Sequence, residues 1–393
     1  MNLLIVNDTG LIGGGAESRI RILLNCLAKD KFLGVAHILC SEEFNRPNLK
    51  LKIDFPVKYY FCKNRYLSCY KTAISVIKNN KINLVSVHNA PLISPTAILA
   101  AKKIMVPVIW FAHDYWPLCA FRTFFPTKGR FENHLCDSGG TIKCAICSGY
   151  RSSLRLGIFR KLLNKADAAI APSNFVKEIF EKNGVLIEKW EVISPWINTD
   201  IYSFCNQPER QTLLFVGPLA VYKGIDVALE AMAWAEKQLP DIEMIIVGPE
   251  QETGHPNRKR INQLACKLGI YDRLTFAGYK QPEELKDYYA KVAVYLCPPL
   301  WPELFGLNWA EALACGARVI ASNSGSIPEI SQGKIEIVKN GSAEELAHKI
   351  VDILRDKNEG IEQKKKLSGF ADKQFDVKRA AEQFKQIYIK LSR

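Results

Sequence analysis

Short apolar runs separated by stretches of helical spacing set the rhythm of this chain. Residues 3–7, 35–40, 57–61, 84–88, 108–112 and 168–171 are continuous apolar runs bounded by turn residues. Runs of this kind predict parallel strands buried on both faces. Between them, residues 16–29 and 95–103 have helical spacing, and Ser173-Asn174 is a good cap for a helix over 175–182. Residues 198–211 are polar, contain Pro208 and lack a period, so they read as a linker. The rhythm then restarts. Strands over 212–216, 243–247, 274–277, 293–297 and 318–321 alternate with helices over 225–238, 258–268, 282–290 and 307–315. Residues 370–393 predict one amphipathic tail helix, with Phe375, Ala380, Phe384 and Ile387 sharing a face. Two such alternations predict an α/β protein made of two doubly wound Rossmann-like domains facing across a cleft. The expected divisions are 1–200 for the first domain, 201–369 for the second, and 370–393 for a helix crossing back toward the first.

Composition narrows the classes. At 393 residues the chain is too long for one ordinary core, and 48% hydrophobic with 24% charged residues is a globular balance. No run approaches the roughly 18 uncharged apolar residues of a membrane span. The chain opens on a strand-like run with no basic lead or cleavage site, so a cytoplasmic location with mostly reduced cysteines is expected. Charge is uneven: residues 1–200 hold 27 Lys/Arg against 15 Asp/Glu, whereas residues 201–393 hold 26 against 25. The basic half predicts an anionic partner. Nine of its cations lie within 115–166 (Arg122, Lys128, Arg130, Lys143, Arg151, Arg155, Arg160, Lys161 and Lys165), opposed only by Glu132 and Asp137.

The most informative stretch runs from Pro302 to Gly316. Glu303 precedes a helix that begins near Leu307, and Glu311 lies within that helix. Gly306 permits close backbone approach where the helix presents unpaired N–H groups, which is an anion site. Two carboxylates beside it suit the hydroxyls of a sugar and a ribose. A second loop, Val216-Gly217-Pro218-Leu219-Ala220-Val221-Tyr222-Lys223-Gly224, also follows a strand and opens a helix. Near the start, Gly13-Gly14-Gly15-Ala16-Glu17 joins the first strand to the first helix. It does not fit the dinucleotide fingerprint, because that frame ends at Ser18.

With these motifs the whole chain resembles the retaining nucleotide-sugar glycosyltransferases of the GT-B fold, family 4. The resemblance rests on Glu303-x7-Glu311, on Phe305-Gly306, on Glu311-Ala312-Leu313-Ala314-Cys315-Gly316 and on Ser324-Gly325-Ser326-Ile327-Pro328-Glu329. It implies that Glu303 holds donor-sugar hydroxyls and Glu311 the ribose, with the backbone of Phe305, Gly306 and Leu307 at the sugar and diphosphate. Gly217 and Lys223 would line the diphosphate. Position 218 departs from the family, being Pro where the family usually has Arg; Arg258, Lys259 and Arg260 are the nearest cations in sequence to replace it. Tyr279, in Gly278-Tyr279-Lys280, is placed near the base. The first glycine loop, through Gly14 and Gly15, would shape the acceptor and diphosphate side. His113 would line the donor sugar and His88 the acceptor. The implied catalytic set is His113, Glu303 and Lys223.

A long segment, 116–149, carries Cys119, Cys136, Cys144 and Cys147 with His134 among them. Cys144-Ala145-Ile146-Cys147 has metal-knuckle spacing, so a structural zinc is expected there; the alternatives are reduced thiols or reversible disulfides. No cofactor is expected for the chemistry, since no Asp-x-Asp pair is present. The reading is therefore transfer of a sugar from a UDP- or GDP-sugar to a saccharide or lipid-linked acceptor, as in surface polysaccharide synthesis. An acidic membrane surface is an expected partner, with the protein peripheral at the inner face, and nucleic acid is not. The alternative is a catalytically silent nucleotide-sugar-binding or regulatory protein of the same fold.

Overall fold

A computed structural model of the chain describes all residues except 12–13, 42–54, 63–65, 90, 92, 125–135, 137–143, 145, 148, 206–209, 250–255, 357–360 and 392–393. The described residues form two compact units. One comprises Met1–Trp196 with Val377–Arg393, and the other Ile197–Asp376.

The first unit is built on a seven-stranded parallel sheet. Its strands are β1 (Asn2–Val6), β2 (Val35–Ser41), β3 (Val57–Cys62), β4 (Leu84–Val87), β5 (Val108–Phe111), β6 (Ala168–Ala171) and β7 (Trp190–Val192), in the order β3-β2-β1-β4-β5-β6-β7. The helices are α1 (Gly15–Lys29), α2 (Tyr66–Asn79), α3 (Ser94–Lys103), α4 (Tyr150–Leu163) and α5 (Asn174–Lys182). Ser173 caps α5 as its sequence suggests, its side chain accepting from the Val176 amide. Ile5 of β1 lies opposite Ile38 of β2 on one side and Ser86 of β4 on the other. β1, β2, β4, β5 and β6 are apolar and almost wholly buried, as strands covered on both faces must be.

The second unit holds a six-stranded parallel sheet. The strands are β8 (Arg210–Val216), β9 (Glu243–Val247), β10 (Leu274–Gly278), β11 (Val292–Cys297), β12 (Arg318–Ser322) and β13 (Glu336–Val338), in the order β10-β9-β8-β11-β12-β13. Helices α6 (Ile225–Glu236), α7 (Pro256–Leu268), α8 (Pro282–Lys291), α9 (Leu307–Ala314), α10 (Ile327–Ser331), α11 (Ala343–Arg355) and α12 (Ile361–Phe375) complete it. Alternate residues of one strand feed two separate cores. Leu213 and Phe215 pack with Met232 and Ile350, whereas Leu214 packs with Trp309 and Phe375. This is the side-chain period of two acting on a doubly covered sheet.

The tail is not one helix. α12 ends at Phe375, and α13 (Val377–Leu391) begins after a single bridge residue, Asp376, which pairs with Ile197. Phe375 lies in a core of the second unit, while Ala380, Phe384 and Ile387 lie in the core of the first. The four residues read from sequence as one face serve two cores, because the helix is interrupted between them.

Candidate functional site

In an open doubly wound sheet, ligands bind beyond the carboxyl ends of strands where the strand order reverses. In the second unit that point lies between β8 and β11. The loop after β8 carries Gly217 and Lys223, and the loop after β11 carries Glu303, Phe305 and Gly306. The structure brings the two loops together. Lys223 Nζ donates to Glu303 Oε2 at 2.7 Å, and Trp301 Nε1 donates to the same oxygen at 3.0 Å. The Lys223 ammonium also lies 4.9 Å from the centre of the Trp301 ring. Burial alone lowers the lysine's pKa, but the Glu303 carboxylate outweighs it and the net shift is upward. Lys223 is therefore a fixed cation.

Several devices hold Glu303 in place. The Ser326 amide donates to the Glu303 carbonyl at 2.8 Å, and Ser324 Oγ donates to the Trp301 carbonyl. Gly325 between them has φ +60, and a Cβ there would lie 2.0 Å from the Glu303 carbonyl oxygen. Gly224, with φ +75, is similarly pressed against Pro298. Gly306, also left-handed at φ +75, is the N-cap of α9. The side-chain amide of Asn308, in the first turn of α9, donates to the Val216 carbonyl at 2.8 Å and ties this helix end to the end of β8. The α9 N-terminus, its dipole and Lys223 thus belong to one corner.

Glu311 sits one helical turn deeper. Tyr289 donates to it at 3.2 Å, and Tyr202 donates as well. Burial lifts the carboxyl to about 7, against the lowering effect of both tyrosines. Tyr279 is exposed at the end of β10. Of the three cations proposed to replace an Arg at 218, Arg260 reaches the loop after β8. Its guanidinium binds Asp226 and donates to the Leu219 carbonyl at 3.3 Å. Arg258 instead stacks on Phe276 and bonds Asn262.

In the first unit the strand order reverses between β1 and β4. The glycine loop follows β1 and His88 follows β4. Gly14 is the exposed N-cap of α1 and Gly15 its exposed first residue; Gly13 lies outside the described residues. Glu17 of α1 turns back into the loop, where Asn7 Nδ2 and Thr9 Oγ1 donate to it at 3.2 and 2.8 Å. His88 and His113 are brought together in a chain of four side chains. Arg19 Nη2 lies 2.8 Å from His113 Nδ1, His113 Nε2 lies 2.7 Å from His88 Nδ1, and His88 Nε2 lies 2.9 Å from Ser86 Oγ. A guanidinium only donates, so His113 Nδ1 accepts, its Nε2–H donates to His88, and the His88 Nε2–H donates to Ser86. Burial, then the Arg19 charge, push His113 well below the usual imidazole range and His88 down to about 3. Both rings are neutral. Asp114, next in sequence, is raised to about 6 by burial despite Arg122.

The four cysteines of the zinc expectation lie in the first unit. Among the described residues no group of three or more His, Cys, Asp or Glu side chains is arranged to hold a metal. Burial, and then neighbouring cysteines of the group, raise the pKa of Cys119, Cys144 and Cys147. The Cys119 sulfur accepts from the backbone amides of Phe121, Thr123 and Phe124. His134 lies outside the described residues.

The sequence of this chain matches two family models end to end. That of the family described as glycosyltransferase family 4 covers residues 13–201, and that of glycosyl transferases group 1 covers residues 198–374. The chain belongs to the group 1 glycosyltransferases. The D-inositol 3-phosphate glycosyltransferase of Mycobacterium ulcerans is 34% identical over 122 residues, 31% of this chain and 25% of that protein. Spore coat protein SA of Bacillus subtilis is 27% identical over 194 residues, 46% of this chain and 49% of that protein. The chain thus spans between a quarter and a half of the length of these curated relatives. Among solved structures, a sucrose-phosphate synthase from Thermosynechococcus elongatus is similar at a TM-score of 0.74 and 20% identity, covering 99% of this chain and 98% of that one. Anabaena HepE in complex with UDP and glucose is similar at 0.75 and 18%, covering 99% and 100%. These likenesses speak to the fold, two Rossmann-like α/β domains.

For this group 1 glycosyltransferase, the motif Glu303-x7-Glu311 was legible in sequence, as was Lys223. Trp301, Arg19, Ser86 and the tyrosines on Glu311 were not. Their only signal was position: Trp301 precedes the glutamate by two, and Arg19 lies one helical turn after Gly15. Tyr289 and Arg19 act across 22 and 94 positions, Tyr202 lies farther still from Glu311 in sequence, and Trp301 and Ser86 act through strand-end geometry, none of which a sequence pattern registers.

Proposed function

We propose that this protein transfers a sugar from a nucleoside-diphosphate sugar to an acceptor hydroxyl with retention of anomeric configuration. The observation that carries the reading is the Lys223–Glu303 pair beside the Gly306 cap of α9, where the second sheet changes direction. In this reading Lys223 and the α9 amides neutralise the departing diphosphate, and Glu303 accepts from donor-sugar hydroxyls. Glu311 binds the ribose; a carboxyl near 7 both donates and accepts there. As the bond from C1 to the diphosphate oxygen breaks, the acceptor oxygen bonds C1 on the same face, and its proton leaves to the diphosphate. The fold neighbours solved with UDP, UDP-glucose or UDP-2-fluoro glucose support a uridine donor. His113, His88 and the Gly14-Gly15 loop are assigned to the acceptor and sugar side. Pro218, which costs the site a bidentate cation, favours a second reading, donor binding without turnover.

Two experiments test this. A thermal-shift panel with UDP, GDP, ADP, TDP and NAD should give one selective shift; saturation at about 100 times Kd stabilises by ~2.7 kcal/mol. A shift with NAD alone overturns the assignment. With the nucleotide named, Glu303→Ala should abolish transfer without loss of folding, and transfer at the wild-type rate in that variant would sink the mechanism. Wild-type binding with no transfer to any acceptor would leave the second reading.

The acceptor is proposed to be a lipid-linked or anionic saccharide met at an acidic membrane. α4 supports this. Its buried face is Ser153, Leu156, Phe159 and Leu163, while Leu154 and Ile158 are 54% and 49% exposed beside exposed Arg155 and Lys161. The helix has four cations and no acid. Exposed apolar residues flanked by cations suit an anionic bilayer surface. Co-sedimentation with phosphatidylglycerol vesicles, lost on Leu154→Asp/Ile158→Asp, is expected; equal sedimentation with neutral vesicles or none at all counts against it.

A further inference from the structure

Three cysteines gather at the carboxyl end of the first sheet, outside every role assigned above. Cys40 lies at the end of β2, Cys62 ends β3, and Cys69 is in the first turn of α2; all three are 1% exposed or less. The Cys62 and Cys69 sulfurs are 2.8 Å apart, closer than two thiols that merely pack. Cys62 also lies 3.5 Å from the Cys40 carbonyl, and the Cys40 sulfur is directed at the Tyr60 carbonyl. A Cβ on Gly10, in the loop after β1, would lie 3.7 Å from Cys40 and 3.3 Å from the Tyr59 ring.

We propose that Cys62 and Cys69 are a redox-active dithiol whose oxidation clamps the end of β3 to the start of α2. Cys69, in the first turn of α2 where the helix end favours a thiolate, is the attacking sulfur, and Cys62, held on the Cys40 carbonyl, the resolving one. The bond with Cys62 lowers the Cys69 pKa against its burial, whereas the same bond and burial raise Cys62. The oxidant suited to a buried pair is a small uncharged peroxide. The Cys69 thiol gives up its proton, the thiolate attacks one peroxide oxygen, the O–O bond breaks, and the departing hydroxide takes up the released proton as water. The resulting Cys69 sulfenic acid is attacked by the Cys62 sulfur, whose proton leaves with the hydroxyl as a second water. The two protons added in forming the two waters are those the Cys69 and Cys62 thiols give up, so two thiols lose two electrons and two protons and one peroxide becomes two waters.

The sequence makes the test direct. Trypsin cuts after Lys58, Lys63, Arg65 and Lys71, so Cys62 and Cys69 fall on the separate peptides 59–63 and 66–71. After hydrogen peroxide treatment, denaturing alkylation and digestion, these two peptides are expected as one species, released by dithiothreitol. Neither Cys62→Ala nor Cys69→Ala should yield it. The clamped protein should unfold several degrees higher than the reduced one, because the closed loop restricts the unfolded chain. Recovery of both peptides fully alkylated, or of Cys62 paired with Cys40, overturns the assignment. A clamped species with unchanged Tm overturns the clamp. Both readouts use the wild-type chain, so a misfolded variant does not decide the matter.

Discussion

Glu311 shows how one residue's surroundings set a measurable property. Burial raises its carboxyl from the ordinary 4.5 to about 7. The folded chain keeps a proton there that the unfolded chain has lost, so stability falls as pH rises between about 4.5 and 7 and then levels. Glu311→Gln, which keeps the tyrosine bonds without the charge, should gain Tm over wild type at pH 7.5 and little at pH 5. A constant difference across that range would refute the buried-carboxyl account. The imidazole chain makes a second prediction. Nitrogen-15 spectra should show His113 with Nε2 protonated and Nδ1 bare at neutral pH, and Arg19→Met should mix the tautomers. A cationic His113 at pH 7 would contradict the direction derived from Arg19.

Among the elements, the loops after strands are where position is enforced. Gly325 lies against the backbone of Glu303 with φ +60, so Gly325→Ala combines a left-handed backbone with a 2.0 Å clash against main chain that cannot rotate away. Such overpacking costs about 1–3 kcal/mol, and here it also displaces the glutamate. The variant should lose transfer and nucleotide-induced stabilisation together. Gly333→Ala makes a matched control, since it shares the left-handed backbone, at φ +69, but meets nothing within 4 Å. If both variants behave alike, backbone conformation alone and not the contact with Glu303 is responsible. The strands around these loops were legible because buried parallel strands are written as apolar runs. α4 was not, because its outer face carries leucine and isoleucine and leaves little periodic contrast.

For the whole molecule, α13 is the element out of chain order. It belongs to the first unit although it follows the second in the chain, and Phe384 is 2% exposed in the first unit's core beside Phe111. Phe384→Ala should cost about 3–5 kcal/mol. It should lower the unfolding transition of the first unit while nucleotide still protects the second. Loss of nucleotide binding in that variant would mean that the units do not stand apart in this respect. No helix among the described residues is long and apolar enough to cross a membrane.

The sequence by itself determined the α/β alternation, the restart near residue 210, and the glutamates and lysine of the second unit. Burial, backbone freedom and helix ends are local properties, and they leave local marks. Tertiary structure alone decided the rest. It joined Lys223 to Glu303 across 80 positions, strung Arg19, His113, His88 and Ser86 into one hydrogen-bonded chain, divided the tail between two cores, and set Cys62 against Cys69. Parallel sheets make such joins by bringing strand ends from distant parts of the chain to one edge.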